Sequence, residues 1–161
     1  MNVTCRTLDY TKADDAAMLV RLLDDYAQDP MGGGEPLSAS TRTRLADVLS
    51  RTGNAFSVVA EHQGSGVALA NCFTTVSTFA ARAIVNVHDA YVKPEARGAG
   101  VVNELFTAIE NEARALDACK ITLEVLEGNA RAQAVYRRLG FTGYSLDEKT
   151  GCALFWERKL V

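Results

Sequence analysis

Hydrophobic and polar positions follow two periods along this chain, one typical of strands and one typical of helices. The run Val3–Leu8 predicts a first strand. Apolar residues at helical spacing predict an amphipathic helix over about Lys12–Gln28, and Asp29-Pro30 ends it, because a residue before proline avoids the helical region. A second helix is predicted after Ser38, which is a suitable N-cap, and Gly53 is its predicted end.

The middle of the chain has the pattern of consecutive strands. β-rich runs cover Ala55–Glu61, Val67–Phe79 and Ala83–Val92. The segment Gln63–Gly66 between the first two runs has the composition of a hairpin turn. We therefore expect three neighbouring antiparallel strands.

The last third of the chain alternates helical and extended patterns. A third helix is predicted over about Gly100–Leu116, a strand over Lys120–Leu126 and a fourth helix over about Ala130–Leu139. Two short strands are predicted to follow, near Thr142–Leu146 and Ala153–Leu160. The order β-α-α-β-β-β-α-β-α-β-β predicts an α/β fold of the mixed α+β kind.

Composition narrows the classes of protein. A length of 161 residues with 48% hydrophobic and 23% charged residues predicts a single globular domain over residues 1–161. The net charge of −3 argues against a nucleic-acid partner. With no apolar run of about 20 residues and no signal-peptide pattern, we expect no membrane partner and a cytoplasmic location. Four cysteines without a CxxC pair and only two histidines make a metal site unexpected.

A strand that runs into a glycine-containing loop and then a helix forms the first motif. Arg97-Gly98-Ala99-Gly100 stands just before the predicted third helix. Glycines allow close approach to the backbone, and a helix start presents N–H groups and partial positive charge to a phosphate. A tight turn without a ligand is the plainer interpretation of the same residues.

A second motif lies on the predicted fourth helix. Asn129 is a suitable N-cap, and Tyr136 follows two helical turns later on nearly the same face. The helix then ends at Gly140-Phe141. Tyr136 alone fits equally a core aromatic residue with its hydroxyl at the surface.

Together the two motifs resemble the GNAT superfamily of acetyl-CoA-dependent N-acetyltransferases. The acyl-CoA motif of that family is Arg/Gln-x-x-Gly-x-Gly/Ala. Arg97 and Gly100 match it, whereas Val102 stands where the family has glycine or alanine. The later motif, Asn129–Phe141, also matches, and the resemblance covers about Val85–Phe141 closely.

The resemblance implies a central mixed, mostly antiparallel twisted sheet of about seven strands, flanked by four helices. It also implies a V-shaped splay between the fourth and fifth strands and a β-bulge near Asp89–Tyr91. Acetyl-CoA is implied as cosubstrate, with no metal, and its pantetheine arm is implied to pair with the strand edge. The residues implied to bind it are Tyr91, Val92, Arg97, Gly98, Ala99, Gly100, Val101, Val102, Asn129 and Tyr136.

The resemblance implies direct attack of a primary amine on the thioester. Tyr136 is then the general acid for the departing thiolate, and backbone N–H near Val92 stabilises the oxyanion. His88 suits the role of base at neutral pH, with Glu124 as a further candidate, although His88 fits equally a strand histidine that bonds its neighbours. The residues expected to contact the acceptor are Tyr26, Asp29, Met31, Phe73 and Asp89.

Several functions fit this resemblance. The leading expectation is an enzyme that acetylates a small-molecule amine, because the acidic balance favours a cationic partner. Acetylation of a protein N-terminus or lysine is the nearer alternative, and a non-catalytic acyl-CoA-binding sensor is an alternative of another class. The glycine-rich segment Gly32–Gly34 suits a lid over an acceptor but also a plain solvent turn. The apolar run Ala153–Leu160 leaves a homodimer open.

Overall fold

A five-stranded sheet forms the centre of the first 123 residues. The computed structural model describes residues 1–147 and 149–160, and the chain divides into two compact units, residues 1–123 and the part from Glu124 onward. The strands are β1 (Thr4–Thr7), β2 (Ala55–His62), β3 (Ser65–Ser77), β4 (Arg82–Val92) and β5 (Lys120–Leu123). They lie in the order β1-β2-β3-β4-β5. All neighbours are antiparallel except β4 and β5, which are parallel, so the predicted mixed and mostly antiparallel sheet is confirmed.

The described residues form four helices, as predicted, three in the first unit and one in the second. They are α1 (Ala13–Gln28), α2 (Ala39–Thr52), α3 (Val101–Ala115) and α4 (Ala130–Arg138), and a short 3-10 turn covers Pro94–Ala96. The ends of α2 follow from local chemistry. The Ser38 hydroxyl accepts the Thr41 N–H at 3.0 Å, and Gly53 closes the helix in the left-handed conformation with φ 73°.

The core of the first unit lies on both faces of β2 and β3. Consecutive residues Val58 and Val59 are both fully buried, which requires cover on each face because strand side chains alternate. Val59 belongs to a cluster that includes Leu19 and Leu22 of α1. The helix α3 also contacts β1, β2 and β3 and buries Phe106 completely. The sheet that carries the site is therefore held between helices.

The predicted seven strands are wrong, since the described residues form five. The segments near Thr142–Leu146 and Ala153–Leu160 contribute only one isolated bridge, between Ser145 and Cys152. A strand exists only where a neighbour completes its hydrogen-bond ladder, and the described part of these segments has no such ladder. The side chains of Phe155 and its neighbours are largely exposed. Among the described residues, no helix is long and apolar enough to cross a membrane.

Candidate functional site

The strand β4 contains a bulge in the part of the chain where the resemblance implied one. Asn71 of β3 pairs with Asp89, but the next residue, Cys72, pairs with Val87, so His88 is the extra residue. A bulge bends its strand and re-aims the neighbouring side chains. It lies one residue before the implied position, so the prediction of a bulge here is confirmed with that shift.

Beyond the bulge, β4 has an edge that its ladder with β5 does not occupy. The two strands pair only over Ile84–Val87 of β4, although β4 continues to Val92. The Lys93 N–H donates to the Val67 carbonyl of β3 at 2.9 Å. By the alternation of an antiparallel ladder, the N–H and C=O groups of Ala90 and Val92 then point away from β3. The implied splay between the two strands corresponds to this stretch.

The loop between β4 and α3 holds two glycines in the left-handed conformation. Gly98 has φ 81° and Gly100 has φ 82°, and both are exposed together with Ala99. Gly100 is the N-cap of α3 and offers no side-chain cap. The side chain of Val101 is buried and that of Val102 half-buried, but their N–H groups belong to the first turn and have no acceptor within the helix. This arrangement suits an anionic group.

Arg97 joins this loop to the end of α1. Its Nη2 lies 2.7 Å from the Asp29 carboxylate, and its Nε donates to the Val92 carbonyl at 2.8 Å. The guanidinium also lies over the Tyr91 ring, 5.7 Å from the centroid. From the family resemblance, Arg97 is expected to bind the cosubstrate and Asp29 the acceptor. The structure brings the two residues together in one half-buried cluster.

Tyr26, in the last turns of α1, packs against β4. Its ring centroid lies 5.7 Å from that of Tyr91. Burial raises the pKa of the Tyr26 phenol, and the charges of Asp89 and Asp29 raise it further. Tyr26 therefore stays protonated at neutral pH and can donate a hydrogen bond.

The turn after α1 is built around Asp29 and Gly32. The Asp29 carboxylate accepts the Met31 N–H at 2.9 Å, and the Met31 side chain is exposed. Gly32 passes so close to α1 that a Cβ there would lie 1.9 Å from the Tyr26 carbonyl oxygen. Glycine is therefore required at this position for the turn to reach its place.

The bulge brings His88 and Asp89 together. Their Nδ1 and Oδ1 atoms are 3.4 Å apart, although successive strand residues normally face opposite sides. The His88 side chain is 64% exposed and that of Asp89 24%, so both reach solvent. Phe73, an expected acceptor contact, packs on the core cluster and meets the His88 ring edge-on at 5.6 Å.

Asp89 accepts a hydrogen bond from a chain of polar side chains that was not predicted from the sequence. Asn71 Nδ2 donates to Asp89 Oδ2 at 2.9 Å, and Ser57 Oγ donates to Asn71 Oδ1 at 2.6 Å. The hydroxyls of Tyr10 and Ser57 are 2.8 Å apart. Ser57 and Asn71 are buried. One signal was present in the sequence, because an asparagine inside the apolar run Val67–Cys72 must find a partner when it is buried.

Cys72, which follows Asn71 on β3, is not a candidate nucleophile. Burial raises the pKa of its thiol to about 12, with the Asp89 charge as a second cause. The thiolate is the reactive form of cysteine, and a thiol with this pKa stays protonated at neutral pH. The described residues also contain no group of three or more His, Cys, Asp or Glu that could hold a metal ion.

The second unit contains the later motif. The Asn129 side chain accepts the N–H of the residue three positions on at 3.0 Å, so the predicted N-cap of α4 is confirmed. Tyr136 lies on α4, and its ring meets Phe141 at 6.0 Å. Glu124 was expected on the fifth strand, which is wrong, because β5 ends at Leu123 where the bulge interrupts β4.

Comparison with known proteins gives a consistent result. The sequence matches the acetyltransferase (GNAT) family over residues 17–141. The uncharacterized N-acetyltransferase YhfO of Bacillus subtilis (strain 168) is 25% identical over 146 residues, 87% of this chain and 89% of the relative. A possible acetyltransferase from Clostridium difficile 630 has a TM-score of 0.79 at 20% identity, over 99% of this chain and 98% of that chain. AAC(6')-Iy in complex with the bisubstrate analogue CoA-S-monomethyl-acetylneamine has a TM-score of 0.75 at 14% identity, over 99% of both chains. These two solved structures are similar to this chain in fold.

Proposed function

Since this chain belongs to the acetyltransferase (GNAT) family and is an acyltransferase, we propose that it transfers the acetyl group of acetyl-CoA to the primary amine of a small molecule. The amine attacks the thioester directly. The observation that carries this proposal is the bulged strand β4. Past Val87 its edge no longer pairs with β5, and the strand continues through a glycine loop into α3. The strand edge therefore offers a row of backbone groups, and the start of α3 offers a site for an anion.

The donor set of the first unit fits acetyl-CoA. The N–H groups of Gly98–Val102 suit its pyrophosphate, since they lie at a helix N-terminus. The backbone N–H and C=O of Ala90 suit the amides of the pantetheine arm, in the manner of an added strand, whereas the Val92 carbonyl already accepts Arg97 Nε. Val102 departs from the family pattern, but it contributes through its main-chain N–H, which a side chain does not remove. Asn129 and Tyr136 are proposed as cosubstrate-binding residues because they match the later motif of the family.

The proposed steps assign one role to each group. When bound, acetyl-CoA supplies a thioester carbonyl open to attack. The Val92 N–H stabilises the negative charge that develops on the carbonyl oxygen. His88 takes the proton of the attacking amine, with Glu124 as the alternative base. Tyr136 gives a proton to the leaving sulfur as its bond to the acetyl carbon breaks.

The acceptor that we propose is a cationic amine. The Asp89 carboxylate is partly exposed and can bind an ammonium group before that group loses its proton. Phe73 and Tyr26 supply aromatic surface, which also attracts cations. Asp29 and Met31 belong to the same proposal through the turn after α1.

Calorimetric titration with acetyl-CoA tests the proposal first. We expect a dissociation constant in the micromolar range or tighter, followed by release of free CoA with at least one amine. The panel contains polyamines, amino-acid derivatives, aminoglycosides and a peptide with a free N-terminus and a lysine. No detectable binding rejects the proposal, turnover with the peptide alone favours protein acetylation, and tight binding without any turnover favours the sensor.

The glycine turn gives a sharper test of the acceptor side. We expect Gly32→Ala to raise KM for the amine several-fold, because a Cβ 1.9 Å from the Tyr26 carbonyl oxygen forces the turn and its Met31 away from α1. Acetyl-CoA affinity should change little. Gly143→Ala is the matched control, since a Cβ there meets only the Cys152 sulfur at 3.6 Å. Steady-state kinetics with each substrate varied makes the comparison, and equal KM values in the two variants contradict a role for this turn.

A further inference from the structure

We infer that Asn71 is a positioning residue for the proposed acyl transfer. Its buried amide belongs to the chain Tyr10–Ser57–Asn71, which orients the Asp89 carboxylate and, through it, the His88 imidazole. The catalytic meaning of this inference rests on the proposed function. The hydrogen bonds that lead to Asp89, and the 3.4 Å approach of Asp89 to His88, rest on the contacts alone.

The chain has a definite direction of hydrogen-bond donation. The Ser57 hydroxyl has one proton and uses it on Asn71 Oδ1, which can only accept. Its oxygen must therefore accept from the Tyr10 hydroxyl, 2.8 Å away. Burial raises the pKa of Tyr10, so this phenol keeps the proton that it donates. Every bond thus donates toward Asp89.

Both ends of the Asn71 side chain agree on its orientation. A carboxylate can only accept, so the NH₂ group must face Asp89 Oδ2, and the oxygen must then face Ser57. Ser57 is fully buried and Asn71 is 3% exposed, which leaves no room for solvent to replace a lost partner. Hydrogen bonds in such a setting cost most when they are broken, because the remaining group stays unsatisfied.

These hydrogen bonds determine how the Asp89 carboxylate faces His88 at the bulge of β4. Asn71 occupies Oδ2 of Asp89, and the other oxygen, Oδ1, faces His88 Nδ1 at 3.4 Å. Because a carboxylate favours a proton on the nitrogen that faces it, the neutral imidazole has its hydrogen on Nδ1 and a lone pair on Nε2. That lone pair is the one a base needs, and the imidazole is largely exposed. Asn71 lies behind this arrangement, bonded to Asp89, and is only 3% exposed.

Nuclear magnetic resonance tests the arrangement without any assay of turnover. The chain has two histidines, so His62→Gln leaves His88 as the only imidazole. A long-range ¹⁵N–¹H correlation spectrum then distinguishes the Nδ1–H from the Nε2–H form. We expect mainly Nδ1–H with Asn71 in place, and a shift toward Nε2–H in Asn71→Ala.

Asn54→Ala is the matched control, since Asn54 gives its amide hydrogen bond to the Thr74 carbonyl at 2.9 Å and has no part in the chain. It should leave the tautomer unchanged. If Asn71→Ala does not fold, Ser57→Ala gives a milder form of the same test, because it removes one oxygen and leaves Asn71 Oδ1 without its hydrogen-bond donor. The inference is overturned if Asn71→Ala, or Ser57→Ala where Asn71→Ala does not fold, has the same imidazole spectrum as Asn54→Ala.

Kinetics provide the catalytic half of the test. We expect kcat to fall about tenfold in Asn71→Ala, the order expected for losing one hydrogen bond to a charged group. KM for acetyl-CoA should be unchanged, and Tyr10→Phe at the far end should have the smallest effect. A purely structural role for Asn71 predicts a lower Tm with kcat retained, and that result also overturns the inference.

The two proposals fail in different ways. A wild-type protein without turnover, in which the tautomer still responds to Asn71→Ala, contradicts the acyl transfer and supports the positioning of His88. A wild-type protein with turnover, in which neither the tautomer nor kcat responds, contradicts the positioning alone.

Discussion

Tyr136→Phe is expected to lower kcat by about 100-fold, because a general acid contributes roughly 10²–10⁴-fold to such a step. The change removes one oxygen and keeps the ring that meets Phe141 at 6.0 Å, so α4 should keep its packing. Acetyl-CoA binding should also persist, since the phenol is proposed to act when the sulfur departs. Steady-state release of CoA gives kcat, and calorimetry gives the affinity.

Tyr144→Phe is the matched control for that experiment. Tyr144 lies in the same unit and is largely exposed, and the substitution removes the same single oxygen. Its kcat should stay within twofold of the wild type, about 0.4 kcal/mol in activation free energy. If Tyr136→Phe also retains kcat, Tyr136 is not the acid, and the proposed mechanism loses its proton donor to the leaving group.

Features that depend on neighbouring residues could be predicted from the sequence. Ser38 and Asn129 cap their helices as expected, and Gly53 ends α2, because each of these choices is made within one turn of chain. The hairpin turn predicted over Gln63–Gly66 is confirmed with tighter bounds, since β2 ends at His62 and β3 begins at Ser65. Local chemistry is therefore enough to predict such features without knowledge of the tertiary contacts.

Features that depend on distant partners were harder to predict. The segment Ala153–Leu160 was predicted as a strand, but a strand also needs a neighbour with the correct register, which a single segment does not reveal. The partner of Arg97 is Asp29, 68 positions away in the chain, and no spacing rule connects them. The bulge was implied by family resemblance alone, and its placement at His88 required the register of β3 against β4.

The polar chain behind Asp89 shows the same division. An asparagine in an apolar strand indicates that a buried partner exists. The sequence does not say that the partners are Ser57 on one neighbouring strand and Asp89 on the other, because that follows from the pairing of β2, β3 and β4. The sequence therefore shows only that an asparagine at position 71 is unusual. The fold is needed to show which residue it is proposed to orient.

The position of α1, which supplies Tyr26 to the site, depends on a buried carboxylate at its other end. Asp15 is buried in the first turn and accepts two bonds from Arg6 of β1, at 2.6 and 2.9 Å. It also accepts the Asp9 N–H at 2.8 Å. These contacts join the first strand to the first helix.

Asp15→Ala is expected to lower the free energy of unfolding by about 2–3 kcal/mol, because it leaves the Asp9 N–H and part of Arg6 without an acceptor. The value lies at the low end for a buried pair, since Arg6 is 40% exposed and keeps its bond to Glu61. Asp14→Ala is the matched control, because Asp14 has the same charge in the same turn but is exposed. Urea unfolding at about pH 7 measures both variants. Equal losses of unfolding free energy would contradict the role of Asp15 in joining α1 to β1.

The same comparison at acid pH has a definite sign. The Arg6 guanidinium lowers the pKa of Asp15 below its ordinary value, and the bond from Asp9 lowers it further. The carboxylate therefore contributes its full stability above the unfolded pKa of about 3.9 and loses it as the pH falls through the lower folded value. The difference between the wild type and Asp15→Ala should be largest near neutral pH and should shrink below about pH 3. A difference that stays constant through this range means that packing of the side chain, rather than its charge, holds α1 on β1.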